Sequence, residues 1–311
     1  MDLLERVDIA KDTTFVFMME AQRRRHEIQY CGIQDLLVHE GRLHVISASV
    51  SLTPVQGSHY KLGERRFHAA GEFDCVFMRK DPPFDTDFFY STHLLSLIDA
   101  KKTFVFNNPH GLREATEKLF IVHFPDLIPE TVVTSDPAQL LAFCEKVGGD
   151  MVIKPLDGCG GANVFRVQRG DLNTHAILGM MTRDGTRQIM GQRFLPESRR
   201  GDMRLIYLEG EPLGAVLRVP REDDLRGNIH VGGTCVAVTI GEREELICRR
   251  LKPSLDALGI YFAGLDVIGS YLTEINVTSP TGVQEINRLN SVRLESHVID
   301  FVERKVGELQ R

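Results

Sequence analysis

Gly264-Leu265-Asp266-Val267-Ile268-Gly269-Ser270-Tyr271-Leu272-Thr273-Glu274-Ile275-Asn276-Val277-Thr278-Ser279-Pro280 decides how this chain is read. Two apolar, β-rich runs flank a Gly-Ser turn, the pattern of an antiparallel hairpin. Folding it about Ser270 sets Asp266 opposite Glu274. Asn276 shares a face with Glu274, because strand side chains repeat every two residues. Val267, Ile275 and Val277 occupy the other, apolar face. Two carboxylates and one amide oxygen thus converge on one side. Like charges opposed across a ladder destabilise it, so something cationic is expected between them. Hard oxygen ligands in this number suit Mg²⁺ held together with substrate phosphates. An exposed hairpin with two solvated acids is the plainer reading of the same residues.

Upstream, Val152-Ile153-Lys154-Pro155-Leu156-Asp157-Gly158-Cys159-Gly160-Gly161-Ala162-Asn163-Val164-Phe165 carries a second signal. Lys154 ends an apolar strand, where a charge is costly without a partner. The glycines lead into another strand. A Walker loop or a dinucleotide fingerprint would open a helix instead, and neither is present. Glycines between two strands suit a flap whose backbone N–H groups close over phosphate oxygens; the alternative is an ordinary turn beside a salt-bridged lysine. Lys118 falls on an expected helix over residues 113–120. Arg204 and Arg218 lie in or at the ends of strands. Pointing inward, they would bind carboxylate or phosphate; pointing outward, they would be surface ladder charge.

The chain has 311 residues, more than a single core usually organises, so two or more domains are expected. A net charge of −6 argues against nucleic-acid affinity. The densest basic run, Arg23-Arg24-Arg25, reads as a solvated helix end. Six cysteines show no CxxC pair or zinc-like spacing and read as reduced thiols. No apolar run approaches the roughly 20 residues of a membrane span, and no signal peptide opens the chain. A cytoplasmic protein without membrane partners is expected.

In the first third, a helix over 13–25, a strand over 28–31, a hairpin over 36–46, a strand over 73–78, a helix over 88–100 and a strand over 103–106 alternate. That order predicts an α/β layer with parallel pairing. Beyond residue 111, strands over 131–134, 151–155, 164–167, 189–195, 203–208 and 213–219 predict an antiparallel sheet. Asp136 caps a helix that has Pro137 at its first position and Gly148-Gly149 at its end. Residues 223–234 are polar, with three glycines, and read as a mobile loop. An amphipathic helix over 290–310 closes the chain.

These segments carry a resemblance. Met78-Arg79-Lys80-Asp81-Pro82-Pro83-Phe84-Asp85, Glu117-Lys118-Leu119-Phe120, Lys154-Pro155-Leu156-Asp157-Gly158, Gly160-Gly161, Arg226-Gly227-Asn228 and Thr273-Glu274-Ile275-Asn276-Val277-Thr278-Ser279-Pro280-Thr281 occur in order. The chain resembles bacterial-type glutathione synthetases of the ATP-grasp superfamily. The resemblance implies a mixed α/β and α+β protein: an ATP-grasp fold over residues 113–311, preceded by a Rossmann-like pre-ATP-grasp domain over 1–112. It implies ligation of glycine to the cysteinyl carboxylate of γ-glutamylcysteine through an acyl phosphate, with ATP as co-substrate and Mg²⁺ (or Mn²⁺) as cofactor. Asp266, Glu274 and Asn276 would hold the metal. Lys118, Lys154, Gly158, Gly160 and Gly161 would bind nucleotide phosphates, the flap spanning 157–163. Gln192, Arg193, Phe194 and Leu195 would read adenine, and Asp202 the ribose. Arg204 and Arg218 would act on the transferred phosphate. Arg79, Asp81, Arg226, Asn276 and Ser279 would bind the peptide substrate, under a lid over 223–234. A homo-oligomer, dimer or tetramer, is implied.

Three departures stand out. Met1-Asp2 matches the loop after the family's first strand, so that strand is expected upstream. Cys159 replaces a frequent methionine, and Gly232-Gly233-Thr234-Cys235 lacks the arginine the family tends to keep. The nearest alternative is another ATP-grasp carboxylate–amine ligase, of glutamate-adding or D-alanyl type.

Overall fold

The computed structural model describes residues 1–158, 160–221 and 233–311. In the first third, the Asp12 carboxylate accepts the Phe15 N–H at 2.6 Å and starts α1 (Thr13–Arg23). There follow β1 (Gln29–Tyr30), β2 (Leu36–His39), β3 (Arg42–Leu52), β4 (Tyr60–Ala69), β5 (Cys75–Phe77), α2 (Thr86–Leu95), β6 (Phe104–Phe106) and α3 (Pro109–Glu114). The hairpin turns at Glu40-Gly41, both with positive φ. Among the described residues, parallel pairing is confined to β5 with β6. β3 instead pairs antiparallel with β1, β2 and β4. Tight connections force that choice; only the β5–α2–β6 crossover is long enough for parallel strands. β4 went unread because most of its side chains are exposed on both faces, which erases the alternation.

The second body comprises β7 (Thr131–Thr134), α4 (Pro137–Lys146), β8 (Asp150–Pro155), β9 (Phe165–Gln168), α5 (Thr174–Thr182) and β10 (Ile189–Arg193). Its sheet is antiparallel, in the order β7-β10-β8-β9. Asp136 caps α4, and Gly148-Gly149, both at positive φ, end it. This body encloses its own apolar cluster, including Leu140, Met151, Ile153, Leu178 and Ile189.

The third body holds β11 (Asp202–Leu208), β12 (Glu211–Val219), β13 (Thr234–Ala237), α6 (Glu242–Ala257), β14 (Phe262–Ile268), β15 (Tyr271–Asn276), α7 (Val283–Asn290) and α8 (Leu294–Leu309). Its antiparallel order is β13-β12-β11-β14-β15. Leu205, Tyr207 and Leu265 on one face join α6 and the first third in one core. Ile206, Val216 and Phe262 on the other pack on α7 and α8. The closing helix is two helices: Ser291, at φ 54°, ends α7, and α8 starts at Leu294. Cys31, Cys75, Cys144, Cys235 and Cys248 are free thiols. Among the described residues, no helix is long and apolar enough to cross a membrane.

Candidate active site

The site lies where the apolar rows of the third sheet give way to charged ones. Register sets it: Arg204 on β11 is the partner of Asp266 on β14, Asp266 of Glu274 on β15, and Asp202 of Arg218 on β12. The hairpin pairing expected from the sequence is present. Arg204 Nε donates to Asp266 Oδ1 at 2.6 Å and its Nη2 to Oδ2 at 3.1 Å. Arg218 reaches Asp266 Oδ2 at 3.0 Å and also pairs with Asp202. The Asn276 amide donates to Asp266 Oδ2 at 3.3 Å. Room for Arg204 depends on Gly264, where a Cβ would lie 2.8 Å from the Pro280 Cβ and 3.2 Å from the Arg204 Cδ.

Lys118 and Lys154 approach Glu274 from outside this sheet, each with its Nζ 3.8 Å from Oε1. Lys154, at the end of β8, also donates to the Thr273 carbonyl at 3.1 Å. Lys118 donates to the Gly158 carbonyl at the start of the glycine segment. It sits in a turn between α3 and a 3₁₀ segment, not on the expected helix. Pro109 at the helix start and only six residues of α3 leave it there. The cations expected between the opposed acids are thus partly the protein's own: Arg204 and Arg218 serve Asp266, Lys118 and Lys154 serve Glu274.

Burial alone would raise the Asp266 carboxyl, but Arg204 and Arg218 hold it well below the usual carboxylate range. Burial pushes Asp202 up to about 7 against the pull of Arg218. It draws the Lys154 ammonium down against Glu274. Asp202 Oδ1 and Arg218 Nε are buried with no hydrogen-bond partner. A carboxylate raised by burial, with one oxygen left unpartnered, marks a centre that accommodates a further cation. Asp266 Oδ1, Glu274 and Asn276 supply hard oxygens for a divalent ion, so the residues present fit one.

The other expected residues separate into groups. Arg79 is buried between the rings of Phe17 and Phe262, donating to Thr14 Oγ1 at 3.1 Å and the Pro280 carbonyl at 3.0 Å. Asp81 is exposed, its N–H bound to Asp2 Oδ2 at 2.7 Å. Ser279 is buried beside Pro280. Gln192 is a ladder residue between β7 and β8. The N–H groups of Arg193 and Phe194 go to the Glu130 and Asp150 carbonyls, at 3.0 and 3.1 Å. Leu195 follows, buried. Asp202 sits among the acids and arginines. Gly160 and Gly161 have φ of 63° and 75°. Cys159, Arg226 and residues 222–232 of the expected lid lie outside the described residues.

Two residues escaped the sequence reading. Asn107 donates to the Phe262 carbonyl at 2.7 Å and accepts the Tyr261 and Phe262 N–H groups at 2.9 and 3.0 Å, fastening β6 to β14. Glu117 accepts the Thr278 hydroxyl at 3.1 Å, and its main-chain carbonyl accepts the Ile275 N–H at 2.9 Å. It stands in the segment Glu117-Lys118-Leu119-Phe120 that carries the resemblance, where the sequence reading gave a role to Lys118 alone.

The family profile described as prokaryotic glutathione synthetase, ATP-grasp domain, matches residues 117–291, and that of the same family's N-terminal domain matches residues 1–113. The chain belongs to the prokaryotic glutathione synthetase family. Glutathione synthetases similar to it include that of Gloeobacter violaceus, 45% identical over 306 residues, covering 97% of this chain and 94% of that protein. That of Mesorhizobium japonicum is 42% identical, covering 98% and 97%. That of Salmonella typhimurium is 40% identical, covering 99% and 98%. Among solved structures, the ATP-grasp ligase PsnB complexed with a minimal precursor superposes with a TM-score of 0.62 at 19% identity, covering 94% of this chain and 95% of that one. A RimK domain ATP-grasp protein from Sphaerobacter thermophilus gives 0.61 at 16%, covering 96% and 97%. These two speak for the ATP-grasp fold alone. As a glutathione synthetase family member, the protein is an ATP-dependent ligase that uses a divalent metal.

Proposed function

We propose that the site joins glycine to the cysteinyl carboxylate of γ-glutamylcysteine. A carboxylate oxygen attacks the γ-phosphorus of ATP and ADP leaves. The glycine nitrogen, as the free amine, then attacks the acyl carbon; the C–O bond breaks, phosphate leaves with its electron pair, and the proton lost from nitrogen is released to water. Phosphoryl transfer asks for positioning and charge neutralisation more than covalent help. One observation carries this reading: two arginines and two lysines from separate elements converge on the paired acids Asp266 and Glu274.

Asp266, Glu274 and Asn276 would hold Mg²⁺ or Mn²⁺, which neutralises phosphate oxygens when bound. Lys118 and Lys154 would neutralise the nucleotide phosphates, under the glycine flap of residues 157–163. Arg204 and Arg218 would act as catalytic cations on the acyl phosphate and the transferred phosphate. Adenine would meet the backbone at the Leu195 end of residues 192–195, since the Arg193 and Phe194 N–H groups are engaged within the sheet. Asp202, with one unpartnered oxygen, would take a ribose hydroxyl. Residues 1–112 would present the dipeptide through Arg79 and Asp81, and residues 113–311 would add Asn276, Ser279 and Arg226. A cytoplasmic setting, where ATP is abundant, and a symmetric dimer or tetramer complete the proposal.

The test is ADP release from the purified protein. Release should require γ-glutamylcysteine, be sustained only with glycine, yield glutathione, and stop on addition of a chelator. ADP release indifferent to the dipeptide would overturn the assignment.

A further inference from the structure

Two adjacent side chains at the end of β10 are clamped in different ways. Phe194 is held within the second body. The Arg166 guanidinium lies 3.8 Å from its ring centre, Asp150 accepts that guanidinium through both carboxylate oxygens at 2.9 and 2.6 Å, and the Asp150 carbonyl accepts the Phe194 N–H at 3.1 Å. Arg193 reaches out of the body instead. Its Nε donates to Glu130 Oε2 at 2.6 Å, which fixes the plane of the guanidinium, and that guanidinium lies 5.2 Å from the ring centre of Tyr271 in the third body. Tyr271 is a firm seat for it. It opens β15; the carbonyl before it, of Ser270, accepts Arg243 Nε at 2.7 Å, and the N–H after it, of Leu272, goes to the Leu127 carbonyl at 2.9 Å.

The same strands meet again further along. Arg193 is level with Met151 on β8, and Lys154, three residues beyond Met151, reaches the Thr273 carbonyl and Glu274. On β15, Glu274 likewise lies three residues beyond Tyr271. At about 3.3 Å per residue, each spacing is roughly 10 Å. The second body therefore bears on β15 at two points, one beside the residues proposed for adenine and one at those proposed for phosphate. A nucleotide would treat the two differently. Lys154 must turn from Glu274 to phosphate, whereas the Arg193–Tyr271 contact contains no group that phosphate would claim. Met190 and Val133 also join the bodies, but apolar packing is non-directional and sets no angle. We propose that Tyr271 is a positioning residue, whose ring, bearing on Arg193, holds the second body at the angle that nucleotide binding needs. This rests on the ligase reading above and adds to it a residue outside the proposed substrate and metal contacts. Without the ring the second body samples wider angles, and apparent nucleotide affinity falls with the fraction of molecules still competent to bind.

The experiment is calorimetric titration of the full chain with ADP and Mg²⁺, together with steady-state kinetics. Tyr271→Leu removes the ring and keeps apolar bulk. It should weaken ADP binding and raise the ATP KM by about three- to thirtyfold, the scale of one cation–π contact. The kcat at saturating ATP should stay within about twofold. Tyr271→Phe keeps the ring and should bind ADP within about twofold of wild type. Arg193→Gln removes the cation and should lose about as much as Tyr271→Leu, and the double variant no more than either alone. Unchanged ADP affinity in Tyr271→Leu overturns the proposal. So does a phenylalanine variant as weak as the leucine one, a loss in kcat without one in ATP KM, or losses that add in the double variant. Wild-type protein that releases no ADP with γ-glutamylcysteine would fail the ligase reading, and the ADP titrations would still decide the role of Tyr271.

Discussion

Glu274 accepts the approach of two lysines from two different parts of the chain, so its carboxylate is the point where the elements around the nucleotide would be drawn together. If Lys154 and Glu274 act on the transferred charge, Lys154→Ala or Glu274→Ala should cost about 2.7–4 kcal/mol of transition-state stabilisation. That is read as a fall in kcat/KM; a change below threefold would remove them from the chemistry. Asp157 makes a different case. It is exposed and pairs with Arg187, and exposed pairs contribute about 0.2–1 kcal/mol. Asp157→Asn should therefore lower kcat/KM by no more than about fivefold. The grouping of Asp266, Glu274 and Asn276 was legible because a period of two dictates which side chains share a face. Arg204 and Arg218 were legible as charges in strands, but not that they would bind Asp266, because pairing across β11, β12 and β14 is a long-range register. Glu117 was hidden, since a single acid beside a lysine in a turn looks like solvated surface until tertiary contacts bury it.

Elements hold these residues through contacts remote in sequence. The outer strand of the hairpin, β15, receives carbonyls from Leu127 and Glu117 at Leu272 and Ile275, both at 2.9 Å, while Asn107 grips the start of β14. The joint between α1 and α8 is ionic. Glu20, its side chain fully buried, meets Arg23 and Arg293 at 2.6 Å and Arg24 at 2.7 Å. Hydrogen bonds from Arg23 and Arg24, with the charge of Arg293, hold its carboxyl at about 2, below its ordinary 4.5. A depressed carboxyl contributes stability above its unfolded value and loses it as pH falls through the folded one. Glu20→Gln should cost about 1.5–3 kcal/mol near neutrality. The low end is favoured, because Arg23 and Arg293 are half exposed and screened by solvent. Denaturant titrations should show the gap to wild type shrinking from about pH 4.5 downward towards 2. A gap independent of pH in that window would exclude the ionic account. α6 was unread because Pro253 lies inside it and breaks the helical pattern on paper.

Across the whole molecule, the acids Asp202, Asp266 and Glu274 interlock with the bases Lys118, Lys154, Arg204 and Arg218, so the centre carries both signs before any nucleotide arrives. A polyphosphate adds several negative charges at once, and a divalent cation would offset them. ATP with Mg²⁺ at a hundred times the dissociation constant should stabilise the fold by about 2.7 kcal/mol. ATP with excess chelator should give a clearly smaller rise in Tm; equal rises would show that the acids take no metal. The sequence distinguished an N-terminal part of alternating elements from a strand-rich remainder, because composition and periodicity are local. It did not reveal how the parts meet, which depends on Arg79 reaching Pro280 and Asn107 reaching Phe262 across more than 150 residues.

The apolar cluster enclosed by β7–β10 has a mechanical consequence. First and third bodies share one continuous core and are riveted by a buried guanidinium and a buried amide. The second has an interior of its own, and it is linked to the rest both by Lys118 and Lys154 and by Met190 and Val133, which pack into the shared core. Rotating it as a rigid block would break those polar ties and draw Met190 and Val133 out of the shared core, while leaving its own interior intact. A jaw-like closing of the second body would therefore carry Lys154 with it and repack Met190 against the shared core.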